Sequence, residues 1–204
     1  MRKRTAILIS GRGSNMRSLI AAAKAADYPA EIVLVVSNRP GAAGLEHARA
    51  AGIPTATIDH KRFAEREAFE RELDAALTSA RVELVCLAGF MRLLTPWFVE
   101  RWLDRVINIH PSLLPAFPGL HTHRRALQAG CKLAGVTVHY VRAGTDDGPI
   151  IAQAAVPVMA GDTEDTLAAR VLEVEHRIYP LALKLVAGGG ASAPAQGVLM
   201  NPVG

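Results

Sequence analysis

Short apolar runs of about five residues alternate along this chain with longer segments whose apolar residues recur every three or four positions. A strand buried on both faces needs the first pattern, and a helix covering it needs the second, so the alternation demands parallel strands joined by crossover helices. The expected fold class is therefore α/β: a single open, mostly parallel twisted sheet with helices on both faces, Rossmann-like. Thr5 to Ile9, Ile32 to Val36, Pro54 to Ile58, Leu84 to Ala88 and Val106 to Ile109 read as strands. Helices are expected at about 14–26, 41–51 and 62–79, with a short one after Pro96; the third carries Phe69, Leu73 and Leu77 at buried spacing.

From Gly135 to Val158 the pattern changes to two β-rich stretches flanking Gly144–Pro149, which predicts a mixed edge in the C-terminal half. A long helix follows from Asp162 or Thr163, with Asp162-x-x-Asp165 resembling a capping box and Leu167, Val171, Val174, Ile178, Leu181 and Leu185 on its buried face. Pro180 is expected to kink it. After Ala187 the Gly-Gly-Gly-Ala-Ser-Ala-Pro-Ala-Gln run has too little apolar surface to offset ordering entropy. Residues 1–187 are read as one catalytic domain and 188–204 as a flexible Gly/Ala/Pro-rich tail.

With 50% hydrophobic and 21% charged residues among 204, the chain falls in the range of one globular domain. Its longest apolar run, Leu84 to Met91, is far short of the roughly 18 residues that cross a bilayer. The apolar stretch after Arg2-Lys3-Arg4 is too short for a secretory signal. A cytoplasmic protein with no membrane partner is expected. Cys86 and Cys131 form no Cys-x-x-Cys pair and read as reduced thiols. The net charge of +4 is dispersed and aromatics are only 5%, so no nucleic-acid platform is visible and an anionic small molecule is the better partner.

Ser10-Gly11-Arg12-Gly13-Ser14-Asn15 stands where the first strand hands over to the first helix, a place where backbone amides and a helix N-terminus hold an anion. It lacks the third glycine of a dinucleotide fingerprint and the Gly-Lys-Ser/Thr of a P-loop. Ser14 and Asn15 offer an N-cap and extra donors. A tight turn without a ligand fits equally well. Farther on, Asn108-Ile109-His110 closes a strand, so Asn108 and His110 share one face. Pro111 to Pro115 and Pro118-Gly119 then form a rigid loop, which places the pair at a carboxyl end of the sheet. An amide beside an imidazole suits an oxyanion developing on a carbonyl under attack, and a carboxylate such as Asp146 would favour the imidazolium. The same residues could instead satisfy local backbone groups and shape a turn.

Taken in order, these segments resemble the phosphoribosylglycinamide formyltransferases of purine biosynthesis. The resemblance runs from about residue 4 to 187, through Ser10–Asn15, Leu87-Ala88-Gly89-Phe90-Met91-Arg92-Leu93-Leu94, Asn108–Pro115, Pro118–His123, Asp146-x-Gly-Pro149 and Glu175–Pro180. It implies a catalytic trio of Asn108, His110 and Asp146, with Gly13, Ser14 and Asn15 on the substrate phosphate. Glu175 would reach the ribose or amine end. The folate site would take Arg66, Met91, Arg92, Leu93, Leu94, Asn108 and the loop Arg142, Ala143, Gly144, Thr145 and Asp146.

The implied reaction moves the formyl group of 10-formyltetrahydrofolate, a co-substrate, to the amine of 5-phosphoribosylglycinamide. No metal is implied, and the protein would be a monomer or homodimer. Three features depart from the family pattern or leave it ambiguous: a cation at Arg12, the adjacent Asp146-Asp147 pair, which only the Asp-x-Gly-Pro spacing resolves, and a tail without the charged end of some relatives.

His121-Thr122-His123 has the look of a two-ligand metal strand, but no third ligand stands at suggestive spacing. His47, His60 and His139 read as ordinary surface or core histidines, and Trp97 and Trp102 as packing residues. Methionyl-tRNA formyltransferase and formyltetrahydrofolate deformylase share the Asn-x-His and Asp logic, but each carries an extra domain for which this length leaves no room. A non-catalytic phosphate- or nucleotide-binding module is the remaining alternative.

Overall fold

The computed structural model describes residues 1–190 and 198–200 and divides into two compact units, Met1–Asn108 and Ile109–Gly204. In the first unit, β1 (Lys3–Ile9), β2 (Ala30–Ser37), β3 (Thr55–Thr57), β4 (Leu84–Leu87) and β5 (Val106–His110, crossing the boundary) alternate with helices α1 (Ser14–Ala23), α2 (Ala43–Ala50), α3 (Arg66–Ser79) and α4 (Pro96–Arg101). The strand order is β3-β2-β1-β4-β5, every neighbour parallel.

Ala6, Ile7, Leu8 and Ile9 have no exposed surface, as their uninterrupted apolar run requires of a central strand. The register sets Ile9 beside Ser37, Leu8 beside Leu87 and Leu87 beside Asn108. The carboxyl ends of four strands therefore come level at one edge, where an open α/β sheet carries ligands.

Helix α3 begins later than its charge-rich sequence suggests. Residues His60–Arg62 form a separate 3-10 turn, closed by Asp59 accepting the Lys61 N–H at 3.0 Å. The expected Phe69, Leu73 and Leu77 are buried, and Glu70 joins them. Trp102 is buried and stacks on Phe98 at 6.2 Å, its indole N–H donating to Asp74 at 2.8 Å, while Trp97 carries the Arg71 guanidinium 4.5 Å over its ring.

The second unit holds α5 (Thr122–Gln128), β6 (Leu133–Tyr140), β7 (Ile150–Pro157), α6 (Glu164–Ala187) and β8 (Val198–Met200). β6 and β7 pair antiparallel and β8 runs parallel to β7, so the change of pattern after Gly135 does mark a mixed edge. α6 packs on both β6 and β7 and against α5.

Its cap is one residue beyond the Asp162 motif: Thr163 accepts the Thr166 N–H at 3.2 Å, and Thr166 Oγ1 accepts the Thr163 N–H at 2.9 Å. Asp162 is drawn away by the Met159 N–H and the Arg170 guanidinium. The buried stripe follows Leu167, Val171, Val174 and Ile178, then passes to Ala182 and Leu183, leaving Leu181 and Leu185 half-exposed. A strict 3.5-residue spacing drifts about 20° per heptad from a straight helix, which rotates those leucines off the face. The helix continues through Pro180 as one element.

Helix α5 was not anticipated. His121, at φ 57°, turns the chain into it, so Thr122 and His123 are helical and the two histidines do not share a strand face. The tail reading of 188–204 lies largely outside the described residues; 198–200 form β8. Among the described residues no helix is long and apolar enough to cross a membrane, and no cluster of His, Cys, Asp or Glu could hold a metal ion.

Candidate active site

The glycine loop turns through Gly13, which caps α1 in the left-handed region at φ 71°. Ser14 is thus the first helical residue rather than the cap, and no side chain caps this end or places an acid in its first turn. The opening N–H groups of a helix carry partial positive charge and lack intrahelical acceptors, so this end suits a phosphate. Gly44, at the start of α2, holds the loop from outside: its N–H donates to Gly11 at 3.0 Å, and a Cβ there would come within 2.6 Å of Ile9 Cδ1.

Ser10 connects this loop to the 91–94 segment. Its hydroxyl accepts the Met91 N–H at 2.8 Å and donates to Asn38 Oδ1 at 2.6 Å, tying together the segments after β1, β2 and β4. Met91 and Leu93 are more than half exposed, while Arg92 buries its Nε without a hydrogen-bond partner. An apolar pair beside a buried donor is what a flat heteroaromatic ring with polar edges requires. Arg66 opens α3, but it is Glu70, one turn along, that reaches this segment by accepting the Thr95 N–H at 2.8 Å.

On β5, Asn108 and His110 lie two residues apart and share a face, as alternation requires. His110 is buried; its Nδ1 lies 3.2 Å from Asp146 Oδ2 and its Nε2 lies 3.0 Å from the Phe117 carbonyl. Both ring nitrogens face oxygen acceptors, and only a ring bearing both N–H groups donates to each. Asp146 is held at φ 54° and accepts the Gly119 N–H at 2.9 Å. Burial works to raise its pKa, but His139, the Gly119 N–H and the charge of His110 outweigh that, and the carboxyl sits below its ordinary value. The site therefore keeps a carboxylate beside an imidazole.

The loop carrying Phe117 and Gly119 is anchored from β6 and β7. Thr137 Oγ1 donates to the Ser112 carbonyl at 2.7 Å and accepts the Leu114 N–H at 3.0 Å, while Gln153 donates to the Leu114 carbonyl at 2.8 Å. In the Arg142–Thr145 turn, Arg142 places its guanidinium 6.0 Å from the Tyr140 ring, and a Cβ on Gly144 would displace the Asp147 carboxylate. Glu175 is buried on α6.

Sequence reasoning missed Ser10, Asn38, Gly44, Phe117, Gly119 and His139 as parts of these networks. Gly44 and Gly119 had a signal, since glycine at a turn or close approach is informative. His139 had none, because β6 is buried on both faces and alternation says nothing about it.

A family model described as formyl transferase matches residues 3–183. The chain belongs to the formyl transferase family. Over 183 residues it is 49% identical to phosphoribosylglycinamide formyltransferase of Escherichia coli (strain K12), spanning 90% of this chain and 86% of that protein. It is 55% identical over 190 residues to the trifunctional purine biosynthetic protein adenosine-3 of Drosophila pseudoobscura pseudoobscura, covering 92% of this chain but only 14% of that protein's length. A crystal structure of phosphoribosylglycinamide formyltransferase from Brucella melitensis superposes with a TM-score of 0.89 at 56% identity, covering 95% of this chain and 100% of that one. Glycinamide ribonucleotide transformylase 1 from Symbiobacterium toebii gives 0.92 at 45% identity, covering 96% and 92%. The expected open, mostly parallel sheet with a mixed edge is thus the fold of this family.

Proposed function

We propose that the chain transfers the formyl group of 10-formyltetrahydrofolate to the amine of 5-phosphoribosylglycinamide, giving formylglycinamide ribonucleotide and tetrahydrofolate in purine biosynthesis. The single observation that carries this reading is the buried His110–Asp146 pair at 3.2 Å, on a strand that also presents Asn108. Residues 1–187 are the catalytic domain in this reading, and the protein works in the cytoplasm without nucleic acid or membrane.

Gly13, Ser14 and Asn15 receive the ribonucleotide phosphate at the α1 N-terminus, and Glu175 receives its ribose or amine end. Met91 to Leu94, Arg66 and Arg142 to Asp146 receive the folate. The amine nitrogen attacks the formyl carbon, and the carbonyl oxygen gains the negative charge of the new tetrahedral centre. The Asn108 amide and the His110 N–H stabilise that oxygen. As the bond from carbon to the folate N10 breaks, the proton lost by the attacking amine is delivered to N10, with Asp146 assisting through water. The formyl group ends on the glycinamide nitrogen and the proton on the folate, so the step balances.

The test is a formyl-transfer assay of the purified chain with both substrates, run beside Asp146→Asn. Turnover that requires the ribonucleotide supports the reading. Folate consumption that ignores the ribonucleotide would make the chain a formyltetrahydrofolate hydrolase instead, and binding without turnover would leave a phosphate-binding module.

A further inference from the structure

One carboxylate in this site faces two imidazoles. Asp146 turns Oδ2 toward His110 Nδ1 at 3.2 Å and Oδ1 toward His139 Nε2 at 3.6 Å. The second distance is long for a well-formed hydrogen bond but short enough for charge to be felt strongly in a buried setting. His139 is almost wholly buried, and its Nδ1 lies 2.9 Å from the Tyr140 carbonyl. That carbonyl can only accept, so Nδ1 carries a proton, and Nε2 meets the carboxylate favourably only when it carries one too or receives one from Asp146.

The backbone is shaped for this meeting. The β6–β7 register slips between Val138, opposite Ala152, and His139, opposite Ile150. The extra residue, Ile151, lies on β7 opposite this step, so the bulge adds local twist to the strand pair where His139 stands, and bulges cluster beside active sites. At the other end of the contact, Asp146 occupies the left-handed region that non-glycine residues seldom adopt.

We propose that His139 is a positioning residue of the formyl-transfer site, fixing the second oxygen of Asp146 so that the first stays aimed at His110. This deepens the reading above and rests on it. The Gly119 N–H and His110 already hold the first oxygen, and a second imidazole on a strand fixes the other, which limits the remaining swing about the χ2 axis. It also supplies a second group able to hold a proton within reach of the carboxylate. The two histidines and Asp146 then form one positioned set.

Other ionisable groups surround the set. On α5, burial and then the charge of His110 hold the His123 imidazole below its ordinary pKa, opposed by Glu164 at the start of α6. α6, packed on β6, carries Glu175 and His176; Tyr140 follows His139 with Arg142 over its ring, and Asp147 follows Asp146. β7 brings none opposite the bulge, where Ile150, Ile151 and Ala152 stand.

The test compares the full-length chain with His139→Leu and His139→Gln. In folded His139→Leu, kcat falls about tenfold, KM for both substrates stays within about twofold, and the acid limb of the kcat profile moves up, by roughly half a pH unit or more. The carboxyl carbon signal of Asp146, followed by NMR without substrates, titrates at a correspondingly higher pH. His139→Gln, which keeps an N–H of similar reach, recovers most of kcat.

An Asp146 titration that does not move in His139→Leu overturns the proposal, as does a loss seen only in KM. If neither variant folds, the parent decides: the ring nitrogen signals of His139 must respond at the pH where Asp146 titrates, and a ring blind to that step sinks the idea. The NMR readout needs no formyl acceptor, so failure of the proposed reaction would show only in the assay.

Discussion

Asp146 holds its carboxylate 3.2 Å from the Nδ1 of His110 while the same oxygen accepts the Gly119 N–H at 2.9 Å. That oxygen therefore has two tasks, ordering the loop after β5 and balancing the imidazole. Asp146→Asn keeps a carbonyl oxygen for Gly119 but removes the charge, so kcat should fall by about 10²–10⁴ and the melting temperature should also fall near neutrality, where the carboxylate contributes its full stabilisation. The pH dependence follows from the sign of the shift. Asp146 is depressed in the folded protein, so its stabilisation is complete above the ordinary aspartate value and is lost as pH falls through the depressed one. Acid unfolding followed by circular dichroism should be shallower in Asp146→Asn than in the parent; equal slopes would remove Asp146 from the balance.

Asn108 shares its strand face with His110, and the proposed chemistry gives its amide to an oxygen that carries charge only in transit. Removing one such donor typically costs about 3–4 kcal/mol of barrier. Asn108→Ala should therefore lower kcat by hundreds while KM for both substrates moves severalfold at most. Near-normal turnover in a steady-state assay would take Asn108 out of the role.

Gly13 combines a left-handed φ of 71° with close neighbours: a Cβ would lie 3.1 Å from Met16 Cε and 3.2 Å from Gly44 Cα. The methionine tip can move, but the α2 backbone cannot move without shifting the loop. Gly13→Ala should cost about 1–2 kcal/mol from left-handed strain alone, seen as a melting temperature lower by about 3–6 °C. If the loop holds phosphate, KM for the ribonucleotide rises about tenfold while KM for the folate stays put. A rise confined to the folate would place the phosphate elsewhere.

Much of this was legible from pattern, and the failures share a cause. The five parallel strands and the mixed edge followed from runs such as Ile32–Val36 and from the changed pattern after Gly135, because burial on two faces writes itself as continuous apolar sequence. Asn108 and His110 could be paired from alternation alone. What pattern could not show were contacts made by backbone: the Gly119 N–H on Asp146, the Phe117 carbonyl on His110, the Met91 N–H on Ser10. Main-chain groups are present at nearly every position and carry no sequence signature. Short helices escaped too, since α5 has too few turns to establish a period, and the Thr163–Thr166 cap was hidden behind the more conspicuous Asp162.

Glu70 tests whether a buried acid in α3 is there for structure. It has 1% of its surface exposed, and it accepts both the N–H and the hydroxyl of Thr95, closing the segment after Met91–Leu94 onto the helix. Burial raises its pKa above the ordinary glutamate value; the Thr95 bonds and the Arg66 charge pull the other way without winning. An acid raised on folding stabilises fully below its unfolded pKa, and that contribution fades as pH rises through the folded one. The parent should thus lose stability on moving from below the ordinary glutamate pKa to neutrality, beyond what its other groups contribute. Glu70→Gln keeps a carbonyl for one Thr95 donor and carries no charge to desolvate, so this loss should vanish, and its stability at neutral pH should lie within about 1 kcal/mol of the parent. Urea unfolding midpoints measured across that range decide the matter: an identical pH slope in both proteins would mean that Glu70 is charged at no cost and that burial does not govern it.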